Sequence, residues 1–210
     1  PIRRRLRGEL HELFRTLGIP VMLVTHDQRT AAALGDRIAV LRDGRVEQTG
    51  ASADVLDRPE SRFVADFTGN ENVFEATIAG GDGERLTLRV GDVRFETEAE
   101  AGLEPAAGTA ITACVHPSRV RLAPAAARSD LAVGNVVEGT VHRWLNEGDE
   151  YRVAIDVADA SLALTAAVSP PTFESLSVEA GAPLRVGIAS GAIHVISADR
   201  SGGTDRSDGD

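Results

Sequence analysis

The residues of this chain best placed to do chemistry are His26 and Asp27, in Thr25-His26-Asp27-Gln28. A neutral imidazole both donates and accepts a hydrogen bond near neutral pH, so a well-placed one can meet a phosphate or a water. Placement is decided by what surrounds it. The preceding run, Val21-Met22-Leu23-Val24-Thr25, has no polar alternation. It predicts a strand buried on both faces, as in a parallel α/β sheet. Ligands of such sheets sit just outside the carboxyl ends of the strands, where His26 and Asp27 fall. Asp27 reads as the N-cap of the next helix rather than as a base.

The elements around this stretch follow from periodicity. Ile2, Leu6, Leu10, Leu13, Phe14 and Leu17 recur at steps of three and four, the apolar stripe of a helix, and Gly18 ends it. A second helix is predicted over Gln28 to Leu34, stopped by Gly35. Arg37 to Leu41 is a strand, Asp43-Gly44 a tight hairpin turn, and Arg45 to Gln48 the returning strand. Short helices are expected from Ser52 or Ala53 to Leu56 and over about Glu60 to Phe67. Asp36 and Arg37 mark the start of a strand and receive no catalytic role.

At Gly69 the period changes from helical to alternating. Ten short strands are predicted: Val73–Ile78, Arg85–Val90, Val93–Thr97, Ala110–His116, Arg119–Leu122, Val136–Trp144, Tyr151–Val157, Leu162–Ala167, Pro183–Ile188 and Ile193–Ile196. Strands this short and closely spaced indicate small β barrels. The Ala/Pro-rich stretch Ala123 to Asp130 divides them, giving either two lobes, 70–124 and 131–199, or one barrel built from both runs. Residues 200–210 form an acidic tail rich in Gly, Ser and Asp, expected to be disordered.

Composition narrows the function classes. The formal net charge is -10, with 32 acidic and 22 basic residues, every basic one an arginine. Nucleic acid is therefore not an expected partner. Cys114 is the only cysteine, so neither a disulfide framework nor a paired-cysteine metal site is available, and no metal ligand is assigned. No apolar run approaches the ~18 residues of a membrane span. The chain opens at Pro1 in what reads as the middle of an element, which predicts a fragment.

Several spaced motifs now agree in order. Thr25-His26-Asp27-Gln28, then Asp36 to Gly50, then Arg58-Pro59-Glu60-Ser61-Arg62-Phe63-Val64-Ala65-Asp66-Phe67-Thr68-Gly69-Asn70 resemble the last part of the nucleotide-binding domain of an ABC importer. The final stretch resembles the segment that joins this domain to a C-terminal β domain of the TOBE type. The resemblance implies an α/β fold followed by an all-β one: residues 1–69 as the end of a P-loop NTPase domain, and 70–199 as an OB-like, TOBE-type regulatory domain. It also implies that His26 is the switch-region histidine, hydrogen bonding the γ-phosphate of ATP and positioning the attacking water. ATP and Mg²⁺ would be cofactors of the complete parent. Its partners would be transmembrane permease subunits, a solute-binding protein and a second copy of itself, at the cytoplasmic face of the membrane.

The phosphate-cradling Gly-x-x-x-x-Gly-Lys-Ser/Thr loop is absent from the sequence, as are the Asp-Glu strand and the family's Ser-Gly-Gly signature. The chain as given is thus not expected to bind or hydrolyse ATP. In the second half, Val115-His116-Pro117-Ser118-Arg119-Val120-Arg121-Leu122 resembles a TOBE strand pair, and Asn135-Val136-Val137-Glu138-Gly139-Thr140-Val141 the start of a molybdate-binding-protein-like repeat. That implies uptake of an inorganic oxyanion such as molybdate, tungstate or sulfate by the parent. The pattern departs at Ala132-Val133-Gly134 and Ile188-Ala189, where relatives carry polar or basic groups. Alternatives are a stand-alone oxyanion-binding or regulatory module, or an importer ATPase for polyamine, ferric iron or sugar. Among single residues, Cys114 is expected in the core, Trp144 and Tyr151 in cross-strand packing, and Glu147, Asp149 and Glu150 in a solvated charge run.

Overall fold

The computed structural model describes residues 2–99, 106–126, 131 and 133–196. The predicted tail, 200–210, lies outside these. The chain divides into two compact units, Pro1–Gly69 and Asn70–Asp210.

In the first unit, α1 (Ile2–Leu17) is followed by α2 (Gln28–Leu34), β1 (Arg37–Arg42), β2 (Arg45–Ala51), α3 (Ser52–Asp57) and α4 (Arg62–Phe67). The β1–β2 turn places Asp43 at φ 49° and Gly44 at φ 77°, the left-handed pair that a two-residue hairpin of this twist demands. A small core of Val40, Val55 and Val64 joins the hairpin to the helices, with Ile38 and Phe63 packed on it. Buried Gln48 fixes the loop before α4. Its Nε2 donates to Arg58 O at 2.9 Å, and its Oε1 accepts from Glu60 N–H at 2.9 Å.

The expected buried strand over Val21–Thr25 is not there. No strand forms in this stretch, and its side chains face solvent, with Met22 92% and Val24 91% exposed. A strand covered on both faces needs a ladder on each edge and helices above and below. Among the described residues nothing supplies them, so the parallel α/β sheet expected for the first unit is absent.

The second unit is all-β. Its strands are β3 (Asn72–Gly81), β4 (Arg85–Val90), β5 (Val93–Glu98), β6 (Ala110–Val115), β7 (Val120–Pro124), β8 (Asn135–Asn146), β9 (Tyr151–Val157), β10 (Ala163–Val168), β11 (Pro183–Ile188) and β12 (His194–Ile196). All ten predicted strands are present. Single 3-10 turns, Pro117–Arg119 and Ser190–Ala192, join β6 to β7 and β11 to β12. One further element, α5 (Pro170–Leu176), was not anticipated. Ser169 caps it, and prolines open its first turn, where a missing N–H costs nothing.

The ten strands form two five-stranded sheets, in the orders β5-β4-β3-β6-β12 and β10-β9-β8-β11-β7. Position by position the two orders are the same, with β3–β7 and β8–β12 as repeats of one module. Each module gives its last strand to the other's sheet: β7 pairs with β11, and β12 pairs with β6. A single core spans both sheets, from Phe74, Leu88 and Phe95 to Ile155, Leu164 and Val186. The lobes 70–124 and 131–199 therefore do not close separately. One body built from both runs is what forms, because the end strand of each run finds its ladder only in the other.

Two buried asparagines repeat the symmetry. Asn72, which starts β3, donates from Nδ2 to Val115 O and Thr165 O and accepts from Thr165 N–H at 2.6 Å. Asn135, which starts β8, accepts from Glu96 N–H at 2.6 Å and donates to Glu96 O at 2.8 Å. Each amide thus holds the edge strand of the opposite sheet by its backbone. The sequence signal for this pair is Asn-Val at 72–73 and again at 135–136, which the reading of single strands passed over.

Candidate functional site

His26 lies at the apex of a short turn. The hydroxyl of Thr25 accepts from Asp27 N–H at 3.0 Å, closing the backbone around the histidine. Asp27 then caps α2: its Oδ1 accepts from Thr30 N–H at 2.9 Å, and its carbonyl accepts from Thr30 and Ala31 N–H. The local chemistry of Thr, His and Asp at this spacing thus holds an exposed imidazole in front of a helix. The N–H groups of Thr30 and Ala31 are thus satisfied by Asp27, within the chain itself. Among the described residues no group of three or more His, Cys, Asp or Glu is arranged to hold a metal ion.

In the second unit the segments read against an oxyanion-binding pattern meet at the turn after β11. Ala132 lies outside the described residues. Gly134 stands against Ser190, whose N and Oγ are each 3.7 Å from where a β-carbon on Gly134 would sit. The carboxylate of Glu98 lies over Gly191, with Oε1 2.8 Å from that residue's would-be β-carbon. A carboxylate beside the turn opposes a second anion there, and neither Gly134 nor Ala189 brings a positive charge.

The hairpin of β8 and β9 corrects one expectation. Glu147 and Asp149 are exposed and Glu150 half-buried, but the run is not without partners: Arg152 pairs with Glu147 and Glu150, at 3.4 and 3.1 Å, and with Glu71 at 3.6 Å. The Arg152 side chain is only 17% exposed. Behind it, Tyr151 stacks on Phe173 of α5 at 3.9 Å, and Trp144 meets the same ring edge-on at 5.1 Å. Trp144 and Tyr151 do pack together across the strands, at 5.9 Å, with Phe173 as the third member. Cys114 is buried, as expected.

Comparison with known proteins decides what kind of chain this is. Residues 113–196 match the TOBE domain model. The spermidine/putrescine import ATP-binding protein PotA of Rubrobacter xylanophilus is 41% identical over 125 residues, 59% of this chain and 33% of its own length. The Fe(3+) ions import ATP-binding protein FbpC of Streptomyces coelicolor is 44% identical over 124 residues, again 59% and 33%. FbpC 2 of Rhizobium meliloti matches over 194 residues at 34%, covering 89% of this chain and 47% of its own. The chain carries a TOBE region of the ABC importer ATP-binding type. It spans a third to a half of the length of these relatives. A solved structure of the cytoplasmic molybdate-binding protein ModG has the same fold, with TM-score 0.54 and 19% identity, covering 60% of this chain and 96% of that one. The TOBE match takes in β7 and all of the second module but only the end of the first. Strands β3 to β5 and the first half of β6 thus lie before the matched residues.

Proposed function

We propose that this chain is part of the ATP-binding subunit of an ABC importer, and that His26 serves the hydrolysis of ATP in the complete protein. The supporting observation is the match to PotA and FbpC proteins at 41–44% identity. In this reading His26 contacts the γ-phosphate and orients water, and residues beyond this sequence hold ATP and Mg²⁺. The exposed run Val21–Val24 supports it, since such a run suits a sheet completed by more chain. The β unit is the regulatory part, and the working assembly pairs two subunits with a membrane permease and a solute-binding protein at the cytoplasmic face.

For the solute, an inorganic oxyanion has only the likeness of fold behind it. The named relatives favour a polyamine or ferric iron, and Glu98 beside the Ser190 turn argues against an anion site there. In the full-length protein, His26→Ala is expected to lower ATP turnover by 10²-fold or so with nucleotide affinity little changed. Turnover near that of the parent would remove His26 from the mechanism. Calorimetry of this chain with molybdate is expected to show no saturable heat, and a saturable signal would restore the oxyanion reading.

A further inference from the structure

Among the described residues, the far half of β8 is an open edge. From Asn135 to Thr140 this strand pairs with β11 on one side, and from Gly139 onward it pairs with β9 on the other. The last bonds on the β11 side are made by Val141, to Ala182 at 3.0 Å and from Gly181 at 2.8 Å. The register then shifts between Val141 and Arg143. Beyond that bulge Arg143–Asn146 pairs, among the described residues, with β9 alone, and Glu147 N–H closes the hairpin on Glu150 O at 2.9 Å. Counting back from that closing bond, residues 147, 145 and 143 point their backbone groups at β9. Residues 146 and 144, beyond the bulge, therefore present theirs to the open side.

The side chains along this edge are unusually apolar for an exposed strand: Trp144 is 46% exposed and Leu145 62%. Arg143 makes no ion pair among the described residues. An open edge of this kind is a template for another strand unless something blunts it. Here the bulge lies at the start of the open stretch, and from Arg143 to Asn146 no proline, lysine or inward charge blunts it further.

We propose that this edge pairs with the same edge of a second copy of the chain, antiparallel about a two-fold axis at Leu145. In that register residue numbers of opposed residues sum to about 290, an arithmetic consequence of the axis position. Arg143 then faces Glu147 of the other copy, twice, and Leu145 faces Leu145. These three residues share one face of β8, because they alternate with Trp144 and Asn146. The backbone groups of residues 144 and 146 meet in hydrogen-bonded pairs. An axis moved to Trp144 would oppose Arg143 to Leu145 and lose both charge pairs, and one moved to Asn146 would oppose Arg143 to Asp149, in the turn enclosed by the Glu147–Glu150 bond, which is why this register is chosen. The inference concerns residues 142–147 only. It gives the homodimer of the proposed function a contact surface, yet stands or falls apart from any role in ATP hydrolysis.

Cross-linking tests it on the full chain. Leu145→Cys places one thiol on the axis, and Cys114, being buried, serves as the silent control in the parent. In a glutathione redox buffer the Leu145→Cys chain is expected to form a disulfide-linked dimer, and the parent is not. Adding Arg143→Glu sets like charges opposite each other and should lower the dimer yield about tenfold. Adding Glu147→Arg as well restores opposite charges and should recover the yield. The melting temperature and Trp144 fluorescence of each variant check that the hairpin is intact. Absence of the dimer, or a yield indifferent to the charge reversal, overturns the proposal. If His26→Ala leaves turnover intact while the cross-link behaves as stated, the ATP reading fails and this one holds.

Discussion

Asn72 and Asn135 show how much a single buried side chain is asked to do. Both amides are almost fully buried, and both bond the backbone of a strand from the other sheet. They are not equivalent. Asn72 serves three backbone groups, and Asn135 serves two on one residue, Glu96, whose side chain is exposed. Asn72→Ala leaves more groups dry and should cost about 2–3 kcal/mol, against about 1–2 kcal/mol for Asn135→Ala. Urea titration of each variant measures the difference, and equal losses would show that burial rather than bond count sets the cost. Asp82 acts at the same scale through a turn. Its Oδ1 accepts from Arg85 N–H at 2.8 Å and from Glu84 N–H at 3.1 Å, which holds its carboxyl below the ordinary value of 3.8. A carboxyl depressed in the folded state contributes stability that is present above its unfolded value and lost as pH falls through the folded one. Asp82→Ala should therefore lower stability at neutral pH and flatten the acid side of the profile below about pH 4. An unchanged acid limb in thermal melts would show that the turn bonds persist without the charge.

At the scale of elements, the modules depend on each other. Neither β3–β7 nor β8–β12 can complete a sheet alone, since each sheet takes its outermost β12 or β7 from the other module. Fragments 70–126 and 131–196 should each be unfolded in isolation and regain β structure when mixed, seen by circular dichroism. A fragment that folds alone would show that the exchanged strands are dispensable. The same exchange explains what the sequence disclosed and what it did not. The strands were legible because alternation is a local property: Leu86, Leu88 and Val90 face inward between Arg85, Thr87 and Arg89. Helix α2 was legible because Asp27 and Gly35 cap it. Sheet order is not local. Nothing in Val120–Pro124 says that its partner lies some sixty residues away in β11 rather than nearby. The short helix α5 was missed because Pro170-Pro171 reads as a loop until one notices that both residues occupy its first turn. The pairing of Glu147 and Glu150 with Arg152 was hidden because alternation says nothing about which charges meet across a hairpin.

The two units differ in how completely they satisfy their own residues. In the second, apolar positions of ten strands converge on one core. In the first, Leu6, Leu13, Leu17, Ile19 and the whole of Val21–Val24 remain exposed. Burial of a residue such as Met22 or Val24 is worth about 1.5–3 kcal/mol, and this chain forgoes it. His26 was expected at the end of a buried strand because Val21–Thr25 has the composition of one, and no strand forms there. In the proposed function, burial of this run would need neighbours that the described residues do not include. The sign of one double substitution separates the two explanations for that exposure. Met22→Lys with Val24→Glu should leave the stability of this chain unchanged within about 0.5 kcal/mol, as for other exposed sites. It should also reduce self-association and dye binding to apolar surface. If the proposed function holds, the same pair should cost several kcal/mol in the full-length protein, because there the stretch would be a covered strand and two charges would be buried without partners. Denaturant titration of both proteins reads the contrast. A large loss in this chain would mean that Met22 and Val24 are already packed. A negligible loss in the longer protein would mean that the run is never covered, and the place of His26 at the end of a buried strand would fall with it.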